Sequence, residues 1–181
     1  YNHLMIATQD IHASYGTLQS GPNYYSKWTN PDPTSKDEIE KQNYEELRGL
    51  CNRTPSAQDI LLSGILNKKN LLGMLENFVM YQTINGKRVK LVAKHQQFNG
   101  VTKLVKKIEE IKYELSQPHS EEELREIKKG GVIWHTQGSG KSFTMIWFAT
   151  QLVFKFKNPA IMILTDRKQL DKQIKENFEK S

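Results

Sequence analysis

A single cysteine, Cys51, stands in the 181-residue chain. No disulfide can form within it, and one thiol fits a reducing cytosol better than a cross-linked secreted scaffold. No apolar run approaches the ~20 residues that a bilayer-crossing helix needs. Hydrophobic residues make up 37% of the chain and charged residues 25%, which fits a soluble globular protein and argues against a membrane protein. His3, His12, His95, His119 and His135 show no paired spacing, so no zinc site is expected. Internal repeats, long low-complexity tracts and a signal peptide are also missing. The chain opens with Tyr1-Asn2-His3 inside an apolar stretch, which points to a piece of a longer, cytoplasmic polypeptide. Positive charge, by contrast, is in excess: 26 Lys and Arg against 20 Asp and Glu leave +6, with a pI near 9.3. That excess permits a polyanionic partner without proving one.

The length suffices for one medium domain or two small ones. Residues 3–8 and 13–18 read as short strands. The Gly- and Pro-bearing stretch 21–35 reads as a loop or linker, with Trp28 packing to anchor it. Residues 36–51 form an acid-rich helix with Ile39, Tyr44, Leu47 and Leu50 as its apolar stripe. Thr54-Pro55 supplies an N-cap and a first-turn proline for the next helix, and another short helix starts near Asn70. Asn85-Gly86 is a hairpin turn between 81–84 and 89–93. An amphipathic helix follows, carrying Phe98, Val101, Leu104, Val105, Ile108, Ile111 and Leu115 at 3–4 spacing. Ser120 and Glu123 form a capping box for a further short helix.

The character of the chain changes at Gly131. Residues 131–135 read as a strand, followed by a glycine-bearing loop and a largely apolar helix over 141–156. Residues 160–165 are a continuous apolar run, as in a parallel strand covered on both faces. Asp166 can cap a last helix carrying Leu170, Ile174 and Phe178. Strand, helix, strand, helix is the beginning of a parallel α/β sheet.

Between the first strand and helix of that series lies His135-Thr136-Gln137-Gly138-Ser139-Gly140-Lys141-Ser142, with G-K-S in the register of a phosphate-binding loop. Gly138 and Gly140 let the backbone curl so that several N–H groups face one point. The helix start adds its positive dipole end. Lys141 is placed to reach the β- and γ-phosphates of a nucleotide, and Ser142 to offer its hydroxyl to Mg²⁺. His135 stands where the strict motif has glycine, and the loop does not specify the base. A strand-to-helix turn that happens to contain GSGKS is the plain alternative.

The wider run GVIWHTQGSGKS, residues 131–142, resembles motif I of the restriction (R) subunit of type I restriction-modification enzymes, where His before the loop is usual. Thr165-Asp166-Arg167 with Leu170, Asp171 and Gln173 resembles that family's motif Ia. His95-Gln96-Gln97-Phe98 resembles its Q-motif region, and residues 1–28 resemble the segment that closes its nuclease domain. The resemblance implies an ATP-dependent DNA translocase and endonuclease of superfamily 2, a type I site-specific deoxyribonuclease working with methylation and specificity subunits on double-stranded DNA. It implies a partial RecA-like parallel α/β sheet preceded by a nuclease-domain edge and a helical connector. The corresponding divisions are 1–35, 36–93 and 94–181. ATP and Mg²⁺ are the implied cofactors, with Thr136, Gln137, Gly138, Ser139, Gly140, Lys141 and Ser142 around the phosphates. Thr165, Arg167 and Lys168 would meet DNA. Gln97 is the candidate adenine-sensing amide, since an amide pairs with both the donor and the acceptor edge of that base. Gln96 is its rival, and a merely polar helix start is the alternative for either.

Asp32 and Glu40 mimic a nuclease signature, but Ile39 stands two places before Lys41 where an acid is required, so the nuclease carboxylates are expected upstream of Tyr1. The acidic motor box and second motor domain are expected downstream of Ser181. Lys87, Arg88, Lys90, Lys94, Lys103, Lys106 and Lys107 lie in a stretch free of acid, which suits DNA phosphates or, more simply, a solvated face. Trp134 and Trp147 are expected in the core. Rival readings are another superfamily 2 helicase, a small P-loop kinase, and a non-catalytic nucleotide-binding docking module. The 130 residues before the loop argue against the kinase. Because no acidic box accompanies the loop, the 181-residue chain alone is expected to show no steady-state ATP hydrolysis. Robust Lys141-dependent turnover in a phosphate-release assay would overturn that expectation.

Overall fold

A computed structural model describes residues 4–18, 20–84, 86–127, 130–157, 159–164, 175 and 179. The chain divides into two compact units, one running to His95 and one starting at Gln96.

The first unit begins with an antiparallel hairpin of β1 (Met5–Gln9) and β2 (His12–Gly16), in register from Met5 opposite Gly16 to Gln9 opposite His12. Three helices follow: α1 (Glu38–Cys51), α2 (Ala57–Ile65) and α3 (Lys68–Asn77). Asp37 caps α1 by accepting the Ile39 N–H, and Asn52 ends it in the left-handed region at φ 52°, where a short polar side chain is tolerated. Of the expected stripe on α1, only Tyr44 and Leu47 are half-buried; Ile39 and Leu50 stand in solvent.

The cap of α2 differs from expectation. Ser56, not Thr54, closes it through a reciprocal box, with Asp59 Oδ2 accepting the Ser56 N–H at 2.8 Å. A hydroxyl followed three residues later by a carboxylate satisfies two end donors at once, which a lone Thr-Pro pair cannot do. Asp59 also meets Arg53 at 2.7 Å. Its carboxyl is held below the ordinary range, chiefly by the Ser56 backbone N–H.

A second hairpin pairs β3 (Val79–Ile84) with β4 (Lys87–Val92), turning at Gly86 with φ 73°. One face buries Met80, Gln82 and Leu91. The other carries Tyr81 with the Arg88 guanidinium 4.6 Å from its ring centre.

Trp28 holds this unit together, as its place in a loop of anchoring composition suggests. It is 5% exposed and lies between Tyr15 and His95, with ring centres at 5.9 and 4.4 Å. Tyr15 is fully buried and donates its hydroxyl to Ala93 O at 2.9 Å; burial pushes its phenol far above its ordinary pKa. Thr17 donates to Lys90 O at 2.5 Å. Two polar side chains, one in β2 and one just after it, thus tie the first hairpin to β4 and the residue that follows it.

The second unit contains most of α4 (His95–Leu115), together with α5 (Glu121–Glu126) and α6 (Lys141–Lys155). The Ser120–Glu123 capping box forms as the spacing predicts. Lys155 on α6 meets Glu109 on α4 at 2.6 Å, and Lys112 lies over the Phe156 ring at 5.0 Å. Among the described residues no helix is long and apolar enough to cross a membrane.

Here the structure corrects one expectation, and the parallel sheet is not shown among the described residues. No ladder joins residues 131–135 or 160–164 to any described strand. The stretch 131–135 is nevertheless two-sided: Ile133 and His135 are half-buried, whereas Val132 and Trp134 are 90% and 89% exposed. Trp134 is therefore not a core residue; Trp147, at 4% exposed, is. An apolar run specifies that a strand can be covered, but a ladder also needs a partner backbone, which composition cannot supply. The last helix and its Asp166 cap lie outside the described residues.

Gly64 on α2 makes the packing of Trp28 testable. A Cβ there would sit 2.0 Å from the Trp28 indole nitrogen. Gly64→Ala should therefore cost about 1–3 kcal/mol of stability, the usual penalty for overpacking. A chemical-denaturation midpoint equal to that of the wild type would refute this.

Candidate phosphate-binding loop

Residues 131–136 approach without regular secondary structure, and the chain then turns over 137–139 before α6 begins at Lys141. Gly138 and Gly140 both take left-handed backbone, at φ 76° and 84°. In that region a side chain other than glycine's costs roughly 1–2 kcal/mol. Gly140 is the N-cap of α6 and offers no side-chain oxygen to the helix start. The Ser139 N–H donates to Thr136 O at 3.3 Å, but the N–H groups of Gly138, Gly140, Lys141 and Ser142 have no described acceptor. Those of Gly140, Lys141 and Ser142 are among the donors that a helix start leaves unsatisfied, and such donors suit an anion.

Lys141 is exposed and folds back over the loop. Its ammonium donates to His135 O at 2.9 Å and to Thr136 O at 3.0 Å. Ser142 is half-buried beside it. The Ser139 hydroxyl and the His135 Nδ1 are buried without a described partner. Open main-chain donors, an orphaned hydroxyl and a nearby ammonium are a donor set that fits a phosphate chain. An apolar hollow of about 250 Å³ adjoins the loop, walled by Leu104, Ile133, His135, Thr144, Met145 and Phe148.

α4 supports the loop from below. Gly100 lies against His135, whose Nε2 would be in ordinary contact, at 3.5 Å, with a Cβ at that position. Of the two candidate glutamines, Gln96 is exposed and Gln97 is 2% exposed. Gln97 Nε2 donates to Gly140 O at 3.0 Å and to Ser139 O at 3.3 Å. Its amide thus meets the loop's main chain, a contact that sequence spacing does not reveal because the partners lie more than 40 positions apart.

Between Glu126 and Asp166 the chain has five lysines (128, 129, 141, 155 and 157) and no acid. This charge bias was a readable signal for an anion site beyond the motif itself. Thr136, Gln137 and Gly138 are exposed at the turn. Thr165, Arg167 and Lys168, the candidate DNA-contacting residues, lie outside the described residues, as do Leu170, Asp171 and Gln173. In the acid-free stretch, Lys106 and Lys107 meet Glu110 at 3.8 and 3.6 Å, which favours a solvated face there. Asp32 accepts the Thr34 N–H and hydroxyl in a local turn, and Glu40 accepts from Asn30.

These features make residues 135–142 a candidate anion-binding loop, and similarity to known proteins narrows the class. A family model described as SWI2/SNF2 ATPase matches residues 96–181, beginning where the second compact unit begins. The type I restriction enzyme HindI endonuclease subunit of Haemophilus influenzae is 31% identical over 98% of this chain, which covers 15% of that protein. A protein of Methanocaldococcus jannaschii, described as the MjaIXP endonuclease subunit of a type I restriction enzyme, is 28% identical over 96% of this chain and is covered to 16%. A Mycoplasma pneumoniae protein, described as the C-terminal part of the MpnIIP endonuclease subunit, is 30% identical over 64% of this chain and 52% of its own length. No solved structure matches the chain significantly. The chain is a homologue of the endonuclease (R) subunits of type I restriction enzymes, and it spans about 15% of the length of the first two relatives.

Gly140→Ala tests the loop geometry. The new Cβ would be strained at φ 84° and only 2.6 Å from Gln97 Nε2. Pyrophosphate affinity measured by calorimetry should fall about tenfold or more, in line with the left-handed penalty. Unchanged affinity would show that the left-handed turn is dispensable.

Proposed function

We propose that residues 135–142 hold the triphosphate tail of ATP in an endonuclease subunit of a type I restriction enzyme, where hydrolysis drives DNA translocation coupled to cleavage. The observation that carries this is a turn with open main-chain amides at the start of α6, inside the stretch matched by the SWI2/SNF2 ATPase model. In this reading Thr136, Gln137, Gly138, Ser139 and Gly140 line the phosphate cradle through their backbone. Lys141, now folded onto the His135 and Thr136 carbonyls, is the cation at hand to balance charge on the phosphoryl group being transferred. The Ser142 hydroxyl would hold Mg²⁺, which when bound neutralises charge on the β- and γ-phosphate oxygens.

The rest of the protein follows the same reading. Residues 1–35 would close a nuclease domain, 36–93 connect it, and 94–181 open a RecA-like motor domain. The apolar segments 131–135 and 160–165 would enter its parallel sheet. Double-stranded DNA is the substrate, with Thr165, Arg167 and Lys168 on its backbone, and methylation and specificity subunits complete a cytoplasmic complex.

In the intact protein, Lys141→Ala should reduce DNA-dependent ATP hydrolysis on the order of a hundredfold or more and abolish translocation. Its circular-dichroism spectrum should match the wild type's. A variant that still moved along DNA at the normal rate would remove Lys141 from the mechanism.

A further inference from the structure

The position of Gln97 has a consequence for how the cradle is built. Gln97 comes from α4, is 2% exposed, and donates from one amide nitrogen to two consecutive loop carbonyls, those of Ser139 and Gly140. The Gly140 carbonyl takes two further donors from Thr144, its N–H at 3.1 Å and its hydroxyl at 3.3 Å. Thr144 is itself 5% exposed. A carbonyl and the N–H that follows it belong to one planar peptide and, in a trans bond, point in opposite directions. Among the described residues the only cis bond is Asn30–Pro31. Holding the Ser139 carbonyl therefore sets the direction of the Gly140 N–H, and holding the Gly140 carbonyl sets that of the Lys141 N–H. Both of these N–H groups lack a described acceptor. The close approach is possible because residue 140 has no Cβ, which would lie 2.6 Å from the Gln97 nitrogen.

We infer that Gln97, with Thr144 beside it, is a positioning residue of the phosphate cradle: it grips two loop peptides by their carbonyls and aims the Gly140 and Lys141 amides at a bound polyphosphate. This rests on the loop being a nucleotide cradle. It differs from an adenine-sensing role in one measurable respect, because a cradle-setting residue affects every ligand with a phosphate tail alike.

The test uses the intact protein and three probes: ATP, GTP and inorganic pyrophosphate, with binding followed by calorimetry. Gln97→Ala should weaken all three by a common factor of about ten, the scale of a lost buried hydrogen-bond partner. Gln97→Glu keeps the size but sets a carboxylate oxygen against two carbonyls, and should weaken all three at least as much. Thr144→Val removes only the hydroxyl contact and should give a smaller loss with the same indifference to base. Matching thermal unfolding midpoints separate these effects from misfolding; if Gln97→Ala does not fold, Gln97→Glu and Thr144→Val decide the matter. Loss confined to ATP, with pyrophosphate binding unchanged, would overturn the inference, as would no loss for any probe. Pyrophosphate binding that depends on Lys141 in the otherwise wild-type protein establishes the cradle separately. A wild-type protein that binds none of the three probes would remove the cradle, and this inference with it.

Discussion

The candidate site depends on two residues held in left-handed backbone, Gly138 and Gly140. Their φ values turn the chain into α6 within a few residues, and the turn leaves successive amides without intramolecular acceptors among the described residues. Peptide N–H groups left open at a helix start form a site of partial positive charge. That arrangement is preorganised, so little reorganisation is needed when an anion arrives. Lys141 and the acid-free stretch around it add net charge, but a charge alone would attract anions without orienting them.

The turn is supported from α4, and this support has an economy. His135 packs beside Gly100, and Gln97 reaches the loop where Gly140 leaves space. The second approach puts a glycine opposite a larger polar side chain. Buried amides are tolerated in such places because their hydrogen bonds are satisfied. The same logic operates in the first unit, where Gly64 makes room for the Trp28 indole and the buried Tyr15 hydroxyl is paired with a main-chain carbonyl.

The division into two units agrees with how similarity is distributed. Relatives among restriction endonuclease subunits match nearly the whole chain, whereas the ATPase model matches only from residue 96. The first unit, with its hairpins and capped helices, therefore belongs to what this chain shares with those subunits beyond the stretch that the ATPase model matches. Its polar surface has a local character: the carboxylates of Asp32 and Asp59 are bound by neighbouring turn and cap donors.

Features set by near neighbours along the chain are legible in residue type and spacing. The turn at Gly86, the Ser120–Glu123 box, the length of α6 and the G-K-S register all rest on contacts within a few residues, where local chemistry decides the outcome. Even there, competition between adjacent caps was decided by geometry, and Ser56 prevailed over Thr54 because Asp59 could answer it. Contacts distant in sequence were not legible. Hydrophobicity alone did not distinguish the exposed Trp134 from the buried Trp147, and the apolar runs at 131–135 and 160–164 did not carry the partners a ladder requires. Only the tertiary structure decided that the Gln97 amide meets Ser139 and Gly140, since directional hydrogen bonds depend on where α4 lies against the loop. The sequence by itself determined the glycine turn before α6 and the local elements, because near neighbours decide them; packing determined which side chains hold that turn in shape.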